Sequence, residues 1–344
     1  MTATIPGING GAPTSYQNWV NGNANGQKAH WREGDFISYR TLVSDITAGT
    51  THTLVFSYDP VSSSGHAIDY LGSFDGTETT ATSTTSSQGT IIQANNNNPC
   101  SDLVAAGGMA GDCTPSDPQG SAPIPAADFA GQTGCGGAPG TFTGTQTPGS
   151  IDLFGPTGSA ITGVTYLSQN VPAGGGTCTT TVQVSFTVSQ DIGANQDIVL
   201  AWGGHIASSG DWGQGNGAGS ISGSPFHMSL VSLDGASTGA QSASLQSSAI
   251  YFTPNLATQV VANGSPLART ITIGSTVNDT ATLTGTSPTA GGTVTYSLFN
   301  TGDCTGTPSS TQQVAVTNGV VPPSASFTPA AGSFSYSASY TNGG

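Results

Sequence analysis

Glycine and proline punctuate this chain so densely that long helices have no room to form. Fifty Gly and twenty Pro stand among 344 residues, so about a fifth of the positions interrupt a helix. The stretches between them are short and alternate with the period of a strand. In His52–Tyr58 the residues Leu54, Phe56 and Tyr58 fall on one face, after the turn signal Thr47–Thr50. In Thr180–Val188 the inward set is Val182, Val184, Phe186 and Val188, whereas Ile198–Trp202 is continuously apolar, as an inner strand is. Further strands are expected at 160–167, 226–233 and 248–252. The fold class that follows is all-β, built as β-sandwiches.

Charge narrows the partners. Only 6% of the residues are charged, against about a quarter in ordinary soluble domains, and the formal net charge is -14. Such a chain repels nucleic acid and anionic membranes. No window offers the roughly 18 apolar residues of a membrane span, and residues 1–20 carry no basic start followed by an apolar run. The single lysine, Lys28, leaves almost no scope for Lys–Asn or Lys–Asp crosslinks.

The five cysteines, Cys100, Cys113, Cys135, Cys178 and Cys304, show no metal-binding CxxC spacing. Of the three ways to pair the first four, Cys100–Cys113, flanking a short loop, with Cys135–Cys178, flanking a longer one, is preferred. Disulfides of this kind suit an oxidising compartment, and the expected localisation is secreted or cell-surface. Cys304 is left over.

Composition divides the chain at Pro254–Asn255. Residues 1–255 read as an N-terminal β-sandwich, jelly-roll or immunoglobulin-like, interrupted at about 79–150 by a Thr/Ser-, Asn-, Pro- and Gly-rich insertion pinned by the two disulfides. Residues 256–344 read as a second, small β-sandwich with strands at Thr270–Ile273, Thr280–Leu283, Thr293–Phe299, Gln313–Val316 and Ser333–Tyr340. In the last of these Phe334, Tyr336, Ala338 and Tyr340 share one face, with Ser between them.

Through Thr280–Leu283, Gly291–Phe299, Asp303-Cys-Thr305, Val316–Val320 and Phe334–Tyr340, residues 256–344 resemble an immunoglobulin-like repeat of large secreted bacterial surface proteins. Residues 16–252 resemble a domain that stands at the N-terminus of such proteins. That likeness rests on Glu33-Gly-Asp35 with Tyr39-Arg40, on His66–Leu71, on Trp202–Ile206 and on Asp211-Trp-Gly213. The resemblance implies repeat architecture and supplies no reaction. It also implies a further strand bearing a second cysteine, which is absent here. Cys304 then awaits a partner in a continuing chain or a neighbouring subunit, or is simply buried and unpaired.

Candidate chemistry is sparse. Asp35, Asp59, Asp69 and Asp75 are candidate ligands of a possible calcium ion, preferred to zinc because oxygen donors outnumber histidines. Trp212, taken as the most exposed of the four Trp, joins Asp211, His205 and His66 as a candidate glycan-binding patch. No GxSxG elbow precedes a helix, and the only two Glu lie in the first 80 residues, so the chain does not read as an enzyme. The expected function is an extracellular structural protein, a subunit or segment of a cell-surface fibre or stalk. Self-association is expected by strand donation between subunits, for which Met1–Pro13 is a candidate donor, or by continuation into further repeats. The alternative is an adhesin-type module that binds glycans or surfaces, with or without calcium.

Overall fold

The computed structural model describes residues 2–4, 8–9, 19–20, 22–26, 29, 31–76, 98–100, 103–104, 107–239, 241–267 and 270–341. Lys28, His30, Glu78, Arg269 and residues 77–97 of the expected insertion lie outside these. Nearly all the regular structure is β, in two compact units, Met1–Tyr251 and Phe252–Gly344. The division falls a few residues ahead of Pro254–Asn255. Among the described residues no helix is long and apolar enough to cross a membrane.

The first unit is framed by strands β1 (Phe36–Ser44), β2 (Thr51–Ser62), β3 (Ile68–Gly72) and β4 (Gly120–Pro123), then helix α1 (Phe129–Gly134). Strands β5 (Ser150–Phe154), β6 (Ala160–Gly174), β7 (Thr177–Thr187) and β8 (Ile198–Ile206) follow. Helix α2 (Ser209–Trp212), β9 (Phe226–Leu233) and β10 (Ser242–Leu245) complete the main elements. One sheet runs β4-β5-β8-β1 and continues into the short strands Ile8–Asn9 and Trp19–Val20, with β3 also paired to β8. The other runs β6-β7-β2-β9-β10 and ends on Asn23–Ala24.

Alternation decides what each sheet buries. Along β7 every second residue from Cys178 to Phe186 is buried, and along β2 the set His52, Leu54, Phe56 and Tyr58 behaves alike. Of these residues Leu54, Phe56, Tyr58, Val182, Val184 and Phe186 meet Ile37, Tyr39, Ile151, Leu153, Leu200 and Trp202 of the facing sheet in one core. Phe56 stacks on Trp202 with ring centres 4.5 Å apart. Strand β8 is buried throughout because it is covered twice. Its Leu200 and Trp202 enter the core, while Val199 and Ala201 on the reverse face pack with Phe154 and the Cys100–Cys113 disulfide. The second disulfide, Cys135–Cys178, packs with Val61 and Ala138. The insertion is therefore a cover for the sandwich, at least from residue 107 onward.

Two expectations change here. Of Met1–Pro13, the candidate strand donor to a neighbouring subunit, Thr2–Thr4 pairs antiparallel with Leu42–Ser44 of its own β1, and Ile8 stands opposite Tyr39. The edge of β1 offers these residues backbone partners within the chain. Residues 248–252 form one 3-10 turn and a two-residue strand, Ile250–Tyr251, parallel to Trp31–Arg32.

The second unit contains β11 (Asn255–Ala262), β12 (Val277–Thr284), β13 (Thr293–Phe299), β14 (Ser310–Ala315) and β15 (Ser335–Thr341). One sheet is Ser265–Pro266, β11 and β12, and the other is β14-β13-β15. Leu283, Val294, Tyr296 and Val316 form its core, with Leu256, Tyr336 and Tyr340 against them. The sequence placed a strand at Thr270–Ile273 and none at 255–262; the structure reverses this. Thr270–Ile273 is irregular, with Ile273 exposed, while β11 pairs with β12 over eight residues, from Asn255 opposite Thr284 to Ala262 opposite Val277.

Candidate functional site

Residues 33–35, 66–71, 202–206 and 211–213, four of the groups singled out in the first unit, converge at one end of the β1/β3/β8 sheet. The physical cause is a bulge. His205 of β8 faces Tyr70 and Ile206 faces Ile68, so Asp69 is an extra residue with no partner in the register. A bulge inserts one residue and turns the side chains beyond it. Ile68 and Leu71 therefore both enter the core, and Asp69 meets His205.

Asp69 is fully buried and is the hub. His205 Nδ1 donates to its Oδ1 at 2.6 Å, Trp212 Nε1 donates to its Oδ2 at 2.8 Å, and the Gln132 amide donates to its backbone carbonyl. Burial would lower the pKa of His205, but the Asp69 carboxylate overrides it and the net displacement is upward. His66 lies flat on Trp212 with ring centres 3.5 Å apart, and its Nε2 donates to the Pro139 carbonyl at 3.0 Å. Burial lowers the pKa of His66 and favours the neutral ring. Tyr70 stacks on His205 at 4.3 Å, while Phe129 and Phe142 meet Trp212 edge-on.

Local sequence explains each position. The Ser208 hydroxyl caps α2 by accepting from the Asp211 amide and donates back to the Asp211 carboxylate at 2.7 Å. That single helical turn delivers Trp212 to Asp69. Glu33 accepts from the amides of Ser209 and Gly219 at 2.7 and 3.0 Å; burial raises its pKa against the pull of those amides. The next residues tie to β8, with the Gly34 amide donating to the Ile206 carbonyl and the Ile206 amide to that of Asp35. Arg40 is buried and donates to the Pro99 carbonyl.

Trp212 is thus not exposed: it is 1% accessible, with its ring N–H committed. Of the expected patch, Trp212, His205 and His66 are buried and Asp211 is half-buried, because residues 129–142 cover the network. The candidate calcium ligands do not assemble either. Asp35 accepts from the Arg32 amide, Asp59 lies in the other sheet and accepts from His227, Asp69 serves His205 and Trp212, and Asp75 lies apart. Among the described residues no three His, Cys, Asp or Glu side chains are placed to hold a metal ion. Sequence reasoning missed Gln132, Phe129, Phe142 and Pro139, which sit in loops or one short helix and carry no periodic signal.

Above this network is an open groove of about 570 Å³ lined by Phe36, Ser73, Phe74, Asp75, Thr147, Pro148 and Gly149. The Phe36 ring separates it from His205, 5.1 Å away between ring centres. The floor depends on close backbone approach: a Cβ on Gly203 would lie 2.4 Å from the Ser73 carbonyl oxygen, and one on Gly149 only 2.0 Å from the Ser73 nitrogen. Glycine is the one residue that fits both places.

In the second unit Cys304 is unbridged and half-buried. Its amide donates to Ser335 Oγ and its thiol to the Tyr336 carbonyl at 3.2 Å.

Comparison with protein-family profiles, with curated proteins and with solved structures finds no match to this chain.

Proposed function

We propose that this chain is an extracellular structural protein, a subunit or segment of a cell-surface fibre or stalk, that its second unit is an immunoglobulin-like module, and that it associates through the outer edge of β15. The observation that carries the proposal is the character of that edge. β15 pairs with β13 in unbroken register from Ser335 opposite Phe299 to Thr341 opposite Thr293, and has no charge, proline or bulge. Regular, uncharged edges are templates for strand pairing, and proteins ordinarily blunt them. The first unit does blunt its own: edge strand β6 carries Pro172 and four register irregularities, and β4 ends in Pro123. Two disulfides and a nearly uncharged surface accord with life outside the cell.

The backbone geometry selects the test. The Leu298 carbonyl accepts from Ser309, on the β14 side, so its opposite number Tyr336 turns its backbone groups away from β13, where its carbonyl accepts from the Cys304 thiol, and Ala338 turns its own backbone groups outward as well. Ala338→Pro removes an outward N–H and leaves the ladder to β13 intact. It is expected to reduce concentration-dependent oligomers to monomers in light scattering and negative-stain microscopy, with little change in the melting of the second unit. Ser337→Pro removes a ladder donor and is expected to destabilise that unit by about 1–3 kcal/mol. Wild-type protein that stays monomeric at every concentration, or an Ala338→Pro variant that assembles normally, would defeat the proposal.

One observation favours adhesion as a second reading. The groove presents two Phe beside Ser73, Thr147 and Asp75, and lacks any basic residue. That is chemistry for neutral sugars. A glycan array is expected to return neutral oligosaccharides whose binding is lost in Phe74→Ala. No binder, or binding indifferent to Phe74, removes this reading.

A further inference from the structure

The second unit holds a buried carboxylate that neither assembly nor adhesion uses. Residues 252–344 include three charged side chains, Arg269, Asp279 and Asp303, and no His, Lys or Glu. Asp303 lies in an exposed turn and is bonded to Thr305. Asp279 instead occupies a core-facing position of β12, in step with Val277 and Leu283, and is fully buried. Neither of its carboxyl oxygens has a well-formed hydrogen bond.

The segment beside it is a strap. Ser324 donates its amide to the Asp279 carbonyl at 2.9 Å, and the Ser324 hydroxyl accepts from the Asp279 amide at 2.8 Å. Val277 and Phe327 exchange both backbone bonds at 2.8 Å. Residues 324–327 thereby cover the outer edge of β12 that pairing with β11 leaves open. The titratable groups facing Asp279 are Tyr296 from β13 and Tyr336 from β15. Tyr296 has already given its hydroxyl to the Pro322 carbonyl, at 3.0 Å. β11, β14 and residues 322–327 contain no ionisable residue.

We infer that Asp279 is a proton-controlled latch on the Ser324–Phe327 strap, holding it closed while the carboxyl is protonated and releasing it when the carboxyl ionises. A neutral acid tolerates this position; a carboxylate with no well-formed hydrogen bond does not, and lifting the strap is the shortest way to bring it water. Burial pushes the pKa of Asp279 up to about 6, against the smaller opposing effect of the Thr280 amide. Since the folded value lies above the unfolded one, the stabilisation is complete below about pH 4 and is lost as pH rises through about 6. An upward displacement of about two pH units limits the effect to roughly a hundredfold.

Hydrogen exchange on the full chain at pH 5 and pH 7.5, corrected for intrinsic rates, tests the latch without reference to assembly. Protection at Val277, Asp279, Ser324 and Phe327 is expected to fall about tenfold at the higher pH, while β13 amides hold. Asp279→Asn is expected to show equal strap protection at both values. Unchanged wild-type protection overturns the inference, as does an equal loss along β13, which would mean that the whole unit loosens. Should Asp279→Asn fail to fold, Ser324→Ala serves. It removes the acceptor of the Asp279 amide and is expected to lower strap protection at both pH values while retaining the pH ratio; no change in it also overturns the latch.

Discussion

Asp69→Ala is expected to destabilise the first unit by about 3–5 kcal/mol near neutral pH, the usual cost of removing one partner from a buried charged pair. Two donors lose their acceptor at once, His205 Nδ1 and Trp212 Nε1, both in a region covered by Phe129 and Phe142. All four Trp, at 19, 31, 202 and 212, belong to this unit, so urea unfolding followed by Trp fluorescence reports on it and leaves the second unit silent. The loss also depends on pH. His205 has its pKa raised by Asp69, so the pair's ionic contribution is complete below the ordinary histidine value and declines as pH rises through the raised one. The gap between wild type and variant should therefore be widest at about pH 5 to 6 and narrower at pH 8. A loss below about 1 kcal/mol would show that the network is ornamental to the fold. A gap that widens with pH would show that His205 is not the charged partner.

Trp202→Ala is expected to cost a comparable amount, about 3–5 kcal/mol, by a different route. The ring is fully buried between the two sheets, stacked on Phe56 at 4.5 Å and on Tyr39 at 6.3 Å. Removing it leaves a void that strands held by backbone ladders on both sides of β8 cannot close. Trp202→Phe provides the control. The indole N–H has no hydrogen-bond partner, so phenylalanine deletes an unsatisfied donor along with part of the ring, and the loss should shrink to about 1–2 kcal/mol. Chemical denaturation followed by far-UV circular dichroism, fitted for two units, distinguishes these outcomes. If phenylalanine costs as much as alanine, shape at the Phe56 stack matters more than volume.

Much of the architecture was legible because strands carry their burial in their own alternation. Val182, Val184 and Phe186 point inward as their spacing requires, and the bridged pairs are the preferred ones, Cys100–Cys113 and Cys135–Cys178. The signal failed where backbone partners outweighed pattern. Thr270–Ile273 alternates like a strand but is left irregular, whereas Asn255–Ala262, a mixed polar run behind a boundary signal, becomes the central strand of its sheet because β12 supplies eight partners.

The candidate site shows the same division more sharply. His66, Asp69, His205 and Trp212 stand out in the sequence as polar and aromatic groups among glycines, but their exposure does not. Burial follows from a bulge at Asp69 and from a cover drawn from residues 129–142, both long-range events. By itself the sequence determined an all-β chain with scarce charge and two disulfides, since composition, period and spacing are local properties. Only the tertiary structure decided that the conspicuous residues form an interior network, that Asp279 lies under a strap, and that β15 stands at the edge of its sheet. Each of these depends on which distant backbone comes to lie alongside, and no stretch of sequence carries that information alone.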